Sequence, residues 1–313
     1  MIPHGLPEGI IAVLQTPFHV TGEIDWDSYK RLIDDAVDKG VNGFLAPAVA
    51  GEVDYLKRDE REKICRFVRN AVKGRASFIL GASAQDAQTC IAFADLASQI
   101  KADAYLVAVP DRLYGTPHSI LSYFQTIAQH SPLPLIIQDL RWHDDGLSVE
   151  IFDALKSNLP TFSGVKIETI PAGPKYSTLR NALGEDFFIC GGWAIQQMIE
   201  AMDRGVDALL PEGSMVRVYK TIWNLHHQNQ REQAKQLFYR LLPVLSFTNQ
   251  EITLSIAFFK RLLVKRGVIR SEFMRRPGFQ WDAYNRRMAD ELIMLYTDLE
   301  QECRDFHVDS GEK

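Results

Sequence analysis

The sequence predicts an α/β fold: a parallel (β/α)8 barrel with a C-terminal helical extension. Three observations lead there. Short apolar runs recur eight times, at 10–14, 43–46, 77–80, 104–109, 135–138, 164–167, 187–190 and 208–211. Segments with helical spacing fill the gaps between them. Beyond the eighth unit the pattern is helical only.

The runs are mostly continuous in apolar character, not alternating. Strands covered on both faces read this way, which favours a parallel sheet under helices. After the first run, Tyr29, Leu32, Ile33, Ala36 and Val37 follow three-four spacing, and Gly40 is placed to end that helix. Ile64, Phe67, Val68, Ala71 and Val72 repeat the pattern before Gly74. Ile120, Leu121, Phe124, Ile127 and Ala128 repeat it again, as do Ile195, Met198, Ile199 and Met202 before Gly205. Each stripe is wide enough to cover a sheet. Eight such units close into the TIM-barrel architecture. The rival is an open doubly wound sheet, but no GxGxxG follows the first run. Helices are predicted over 231–245, 251–266 and 282–306, split by Gly267 and by Arg276-Pro277-Gly278. The expected organisation is a barrel over 1–228 and a three-helix extension over 229–313, frayed from 308 onward.

Composition narrows the partners. A net charge of -5 with no basic stripe excludes electrostatic binding of nucleic acid. No apolar run is long enough to span a bilayer, so no membrane partner is expected. Cys65, Cys90, Cys190 and Cys303 form no CxxC pair, and Cys65 and Cys90 fall on apolar helical faces. The N-terminal MIPHGLPEG lacks a basic region and a long apolar stretch. Together these read as a cytoplasmic protein. The histidines show no metal spacing, adjacent His226 and His227 read as solvated, and neither metal nor cofactor is expected.

Barrel sites lie at the C-terminal ends of the strands. The candidates there are Thr16, the stretch from Ala48 to Glu52, Ala82-Ser83, Pro110-Asp111-Arg112, Gln138-Asp139, Lys166, Glu168, Gly191-Gly192-Trp193 and Pro211-Glu212-Gly213. Lys166 is the most informative, because it interrupts an apolar run. An ammonium there loses hydration, which favours the neutral amine that attacks a ketone. A strand-end lysine paired with a carboxylate fits the same pattern equally well. Glu168 shares a side with Lys166 if the strand continues. A surface-loop carboxylate is the slightly favoured reading of it. Gln138 orients a substrate or water without acting as acid or base. Asp139 reads as an acid–base group or a helix cap. The strand ends Gly191-Gly192 and Gly213-Ser214 could seat an anion at a helix start, or serve only as turns.

The residues resemble the dihydrodipicolinate synthase / N-acetylneuraminate lyase family of class I aldolases over nearly the whole chain. The likeness lies in Ala12-Val13-Leu14-Gln15-Thr16-Pro17-Phe18, Gly51-Glu52, Gly81-Ala82-Ser83, Gly164-Val165-Lys166 and Gly191. It implies that Lys166 forms a Schiff base with a small 2-keto acid, without a cofactor. Two departures stand out. Val49 and Ala50 replace the two hydroxyl residues that precede Gly-Glu in the family. Gln138 replaces the tyrosine that usually shuttles protons there. Ile137-Gln138-Asp139, Lys166-Ile167-Glu168-Thr169 and Gly191-Gly192-Trp193 instead resemble the 2-keto-3-deoxy-arabonate dehydratases.

The resemblance implies a catalytic set of Lys166, Gln138 and Glu168. It implies a substrate wall of Thr16, Val49, Ala50, Gly51, Gly191 and Leu210, with backbone N–H groups of Val49 and Ala50 on the carboxylate. It further implies a lyase that dehydrates or cleaves a 2-keto-3-deoxy sugar acid, assembled as a homotetramer or homodimer. The alternatives are a synthase condensing pyruvate with an aldehyde, a family barrel that has lost catalysis, and a phosphosugar-binding barrel.

Overall fold

A computed structural model describes residues 6–277 and 279–305. Eight parallel strands close into a barrel in sequence order. They are β1 (Gly9–Val13), β2 (Gly43–Ala46), β3 (Ser77–Gly81), β4 (Ala104–Ala108), β5 (Leu135–Arg141), β6 (Phe162–Thr169), β7 (Phe188–Gly191) and β8 (Ala208–Leu209). The barrel closes where Gly9 pairs with Ala208 and Ile10 with Leu209. The open-sheet alternative is thereby excluded.

Helices follow each strand: α1 (Trp26–Asp38), α2 (Arg58–Val72), α3 (Ala87–Gln99), α4 (Pro117–Ala128), α5 (Val149–Asn158), α6 (Gly173–Leu183), α7 (Met198–Asp203) and α8 (Val216–His227). Local chemistry sets where several begin. Asp25 accepts the Ser28 N–H at 3.0 Å to start α1, and Asp86 accepts the Thr89 N–H at 2.8 Å to start α3. The apolar stripes face the strands, so every strand carries side chains into two layers. One is the barrel interior, with Ile11, Leu45, Ile79, Leu106, Ile136 and Phe188. The other is the interlayer against the helices. That double burial is why the runs read as continuous. Gly164 follows from this packing, since a Cβ there would come within 2.8 Å of the Phe188 ring.

Two strands run further than their apolar runs. β5 continues through Arg141 and β6 through Thr169, paired residue by residue from Gln138–Lys166 to Arg141–Thr169. Polar residues in those last turns hid the extension from a reading based on apolar runs.

Among the described residues three more helices follow: α9 (Arg231–Thr248), α10 (Ile252–Lys265) and α11 (Ala283–Asp305). They do not hang free. α10 starts where Glu251 accepts the N–H groups of Thr253 and Leu254 at 2.7 and 2.9 Å. It then lies over the barrel mouth, held by a fully buried ion pair between Lys260 and Glu52. The other oxygen of Glu52 accepts the Arg276 N–H at 2.7 Å. Arg266 bridges Asp35 at 3.0 Å and the Ser214 carbonyl at 2.7 Å.

His226 is not solvated. Its Nε2 lies 2.9 Å from Asp203, while His227 stacks on Trp223 with centroids 4.1 Å apart. Packing of α8 on α7 accounts for the first contact; the second lies within α8, and His227 remains exposed as expected. All four cysteines are buried and free. Among the described residues no helix is long and apolar enough to cross a membrane. The stretch expected to fray, 308–313, lies outside the described residues.

Candidate active site

The cavity at the C-terminal mouth of the barrel has a volume of about 100 Å³. Strand alternation decides which residues reach it. On β5, Gln138 and Leu140 face inward with Trp142 just beyond, while Asp139 faces the helices. On β6, Lys166 and Glu168 face inward together. Lys166 is 5% exposed and Glu168 7%. Glu168 therefore belongs to a buried strand, and the surface-loop reading of it fails because β6 runs three residues past Lys166.

The polar centre is a relay of three side chains. Glu168 Oε1 lies 3.1 Å from Lys166 Nζ. Glu168 Oε2 accepts a hydrogen bond from Gln138 Nε2. Gln138 and Lys166 are register partners on neighbouring strands, so the relay follows from backbone pairing. Beside it, Cys190 donates from Sγ to the Val165 carbonyl at 3.3 Å. Burial pushes that thiol well above its ordinary range, so it stays protonated.

The loop after β2 forms the facing wall. Val49–Gly51 makes one short 3-10 turn, whose internal bonds start at the N–H groups of Gly51 and Glu52. The N–H groups of Val49 and Ala50 fall where a helical turn has no internal acceptor. Both residues line the cavity, as does Leu210.

Three expected wall residues do not line it. Thr16 donates from Oγ1 to the Gly51 carbonyl at 2.7 Å, so it buttresses the turn from behind. Gly51 is buried against β1, where a Cβ would come within 2.7 Å of the Leu14 carbonyl. A Cβ on Gly191 would meet Tyr176 Oη at 2.5 Å, on the helix side. Gly191 thus makes room for α6, not for a substrate. The glycine that matters to the cavity is Gly192, where a Cβ would overlap Glu168 Oε1 and approach Lys166 Cε within 2.6 Å.

Asp139 is neither a cap of α5 nor a site residue. It accepts from Tyr114 at 2.7 Å, the Leu147 N–H at 3.0 Å and Lys175 at 2.5 Å, all outside the barrel. The Ser214 N–H is likewise engaged, donating to Glu212 Oε2 at 2.7 Å.

Several cavity residues escaped the sequence reading. Leu245, Asn249, Ile252, Ser255 and Phe259 come from α9, α10 and the link between them, and complete the rim. Tyr219 comes from α8. Glu212, one of the strand-end candidates, lines the cavity from the loop after β8. Burial pushes the Glu212 carboxyl up to about 7, and its Oε1 is buried with no hydrogen-bond partner among the described residues. Burial likewise holds Tyr219 neutral, and the nearby charge of Glu212 adds to the effect.

A closed parallel barrel with a buried lysine–carboxylate pair at its C-terminal mouth defines a barrel enzyme. The chain belongs to the dihydrodipicolinate synthetase family, whose model matches residues 6–294, and it is an enzyme of the lyase class. It is 33% identical over 134 residues to the 4-hydroxy-tetrahydrodipicolinate synthase of Oenococcus oeni, a match spanning 42% of this chain and 45% of that relative. It is 27% identical to the L-2-keto-3-deoxyarabonate dehydratase of Azospirillum brasilense over 86% of this chain and 88% of that protein. The fold superposes on the sialic acid aldolase of Ruminococcus gnavus with a TM-score of 0.86 at 18% identity, over 94% of this chain and 98% of that one. At that identity the likeness bears on the fold alone.

Proposed function

We propose that the protein dehydrates or cleaves a 2-keto-3-deoxy sugar acid through an imine on Lys166, with dehydration the better supported reading. The observation that carries it is the Gln138–Glu168–Lys166 relay in place of a tyrosine shuttle. Lys166 Nζ attacks the C2 carbonyl, and loss of water leaves a protonated imine. That imine acidifies C3. Glu168, held beside the nitrogen, takes the C3 proton to give an enamine. Gln138 fixes the carboxylate without competing for the proton. The N–H groups of Val49 and Ala50 bind the substrate carboxylate, replacing the absent hydroxyls. Gly192 leaves space for the relay and Leu210 supplies apolar wall. On this reading the working unit is a cytoplasmic homodimer or homotetramer.

The name of the Azospirillum relative supports dehydration, and its match covers most of both chains. The name of the Oenococcus relative favours a pyruvate-condensing synthase as the second reading. The assay that separates them incubates purified protein with 2-keto-3-deoxy-pentonate, or with pyruvate and aspartate semialdehyde. A product lighter by one water supports dehydration. Release of pyruvate supports aldol cleavage. Robust condensation with the semialdehyde, without reaction of the sugar acid, contradicts the proposal.

A further inference from the structure

We infer that Glu212 is the general acid that protonates the hydroxyl leaving C4 of a 4-hydroxylated 2-keto acid. This rests on the dehydration reading above and supplies the half of the elimination which the Lys166–Glu168 pair leaves open. Removal of the C3 proton gives an enamine, but hydroxide is a poor leaving group. A second, protonated group must meet the C4 oxygen.

Four observations single out Glu212. It lines the same cavity as Lys166 and Glu168. It stands on a different wall: Ile167 pairs with Gly191 and Gly191 with Leu209, which sets Glu168 level with Leu210. The bridge from Val13 to Glu212 continues the β1–β8 register, placing Glu212 two residues nearer the mouth. Third, the carboxyl is partly engaged: Oε2 accepts the Ser214 N–H at 2.7 Å, and buried Oε1 has no hydrogen-bond partner among the described residues. Fourth, the groups facing it are neutral. Tyr219 on α8 and Tyr296 on α11 are both held protonated by burial. Among the described residues no basic side chain forms an ion pair with Glu212, and burial pushes its carboxyl up to about 7. A carboxylic acid that keeps its proton near neutrality is what the step requires.

The step balances as follows. The enamine nitrogen lone pair re-forms C2=N, and the C2=C3 pair moves to make C3=C4. The C4–O bond breaks, and its oxygen takes the Glu212 proton and departs as water. Glu212 is left ionised and Glu168 protonated, and solvent exchange resets both. Neither oxidant nor reductant is needed.

The test compares wild type and Glu212→Gln on three readouts. Borohydride trapping with pyruvate reports the imine. Turnover is followed with 2-keto-3-deoxy-pentonate and with its 4-fluoro analogue, whose fluoride departs without a proton. Glu212→Gln is expected to form the pyruvate adduct as wild type does, and to lose about 10²–10⁴-fold in kcat on the hydroxyl substrate. It is expected to stay within about 10-fold of wild type on the fluoro substrate. In wild type, kcat should fall as pH rises through about 7 with the hydroxyl substrate but not with the fluoro one. That comparison needs no variant, so it stands even if the substitution unfolds the chain. Equal loss on both substrates, or hydroxyl turnover by the variant within about 3-fold of wild type, overturns the assignment. Trapping without water loss in wild type overturns it while leaving the imine intact. Absence of any wild-type adduct sinks the function itself.

Discussion

Glu168 Oε1 stands 3.1 Å from Lys166 Nζ, two residues along one strand and on the same face of it. The pairing couples nucleophile and base in one unit. Replacing Glu168 with Gln removes the base and the lysine's ion-pair partner together. Imine formation should survive, while turnover falls about 10²–10⁴-fold. Borohydride trapping beside steady-state turnover checks this. Loss of the adduct would mean that Glu168 serves the lysine alone.

Gly192 and Gly191 should separate activity from stability. Gly192→Ala pushes a methyl into Glu168 and Lys166 Cε, so turnover should collapse with little change in Tm. Gly191→Ala pushes it into Tyr176 on the helix side, and overpacking there costs about 1–3 kcal/mol. Thermal unfolding and turnover of both variants decide it, and the reverse pattern would contradict the placement of the cavity.

The pair Lys260–Glu52 locks α10 over the mouth. Breaking one partner of such a buried pair costs about 3–5 kcal/mol, because the other charge remains unpaired. Lys260→Met should lower stability by that order in denaturant titration. The double variant Lys260→Met with Glu52→Gln should recover much of it. A single variant within about 1 kcal/mol of wild type would show the pair to be unimportant.

Glu212 gives stability a pH dependence of definite sign. Its folded pKa, about 7, is raised above the usual glutamate value of 4.5. The folded state therefore holds a proton that the unfolded chain releases. This contribution is full below about pH 4.5, declines as pH rises, and is lost above about pH 7, to the extent of roughly 3 kcal/mol. Glu212→Gln should be more stable than wild type at pH 8 and gain nothing at pH 4, by thermal unfolding at each pH. A gain at pH 4 equal to that at pH 8 would rule the titration out.

What could be read from residues alone follows from burial on both faces. Eight continuous apolar runs announced the strands, and Lys166 stood out because it interrupts one. The ends of β5 and β6 did not announce themselves, since Glu168 and Arg141 look like loop residues until pairing places them. Gly191 and Gly192 differ by one residue and so face opposite layers, a distinction that composition does not carry. The rim from α9 and α10 was invisible for another reason: helix periodicity shows that a face is buried, not what it covers. Phe259 and Ser255 line the cavity from the same helix whose Lys260 pairs with Glu52, far away in sequence.

The central claim is that Lys166 is the nucleophile, and one measurement meets it directly. Purified protein is reduced with borohydride in the presence of pyruvate or a 2-keto-3-deoxy acid, then weighed intact and mapped by peptide. The account predicts a single adduct on the peptide carrying Lys166, absent from a folded Lys166→Ala variant that has no turnover. An adduct on another lysine, or none with either compound, would contradict it.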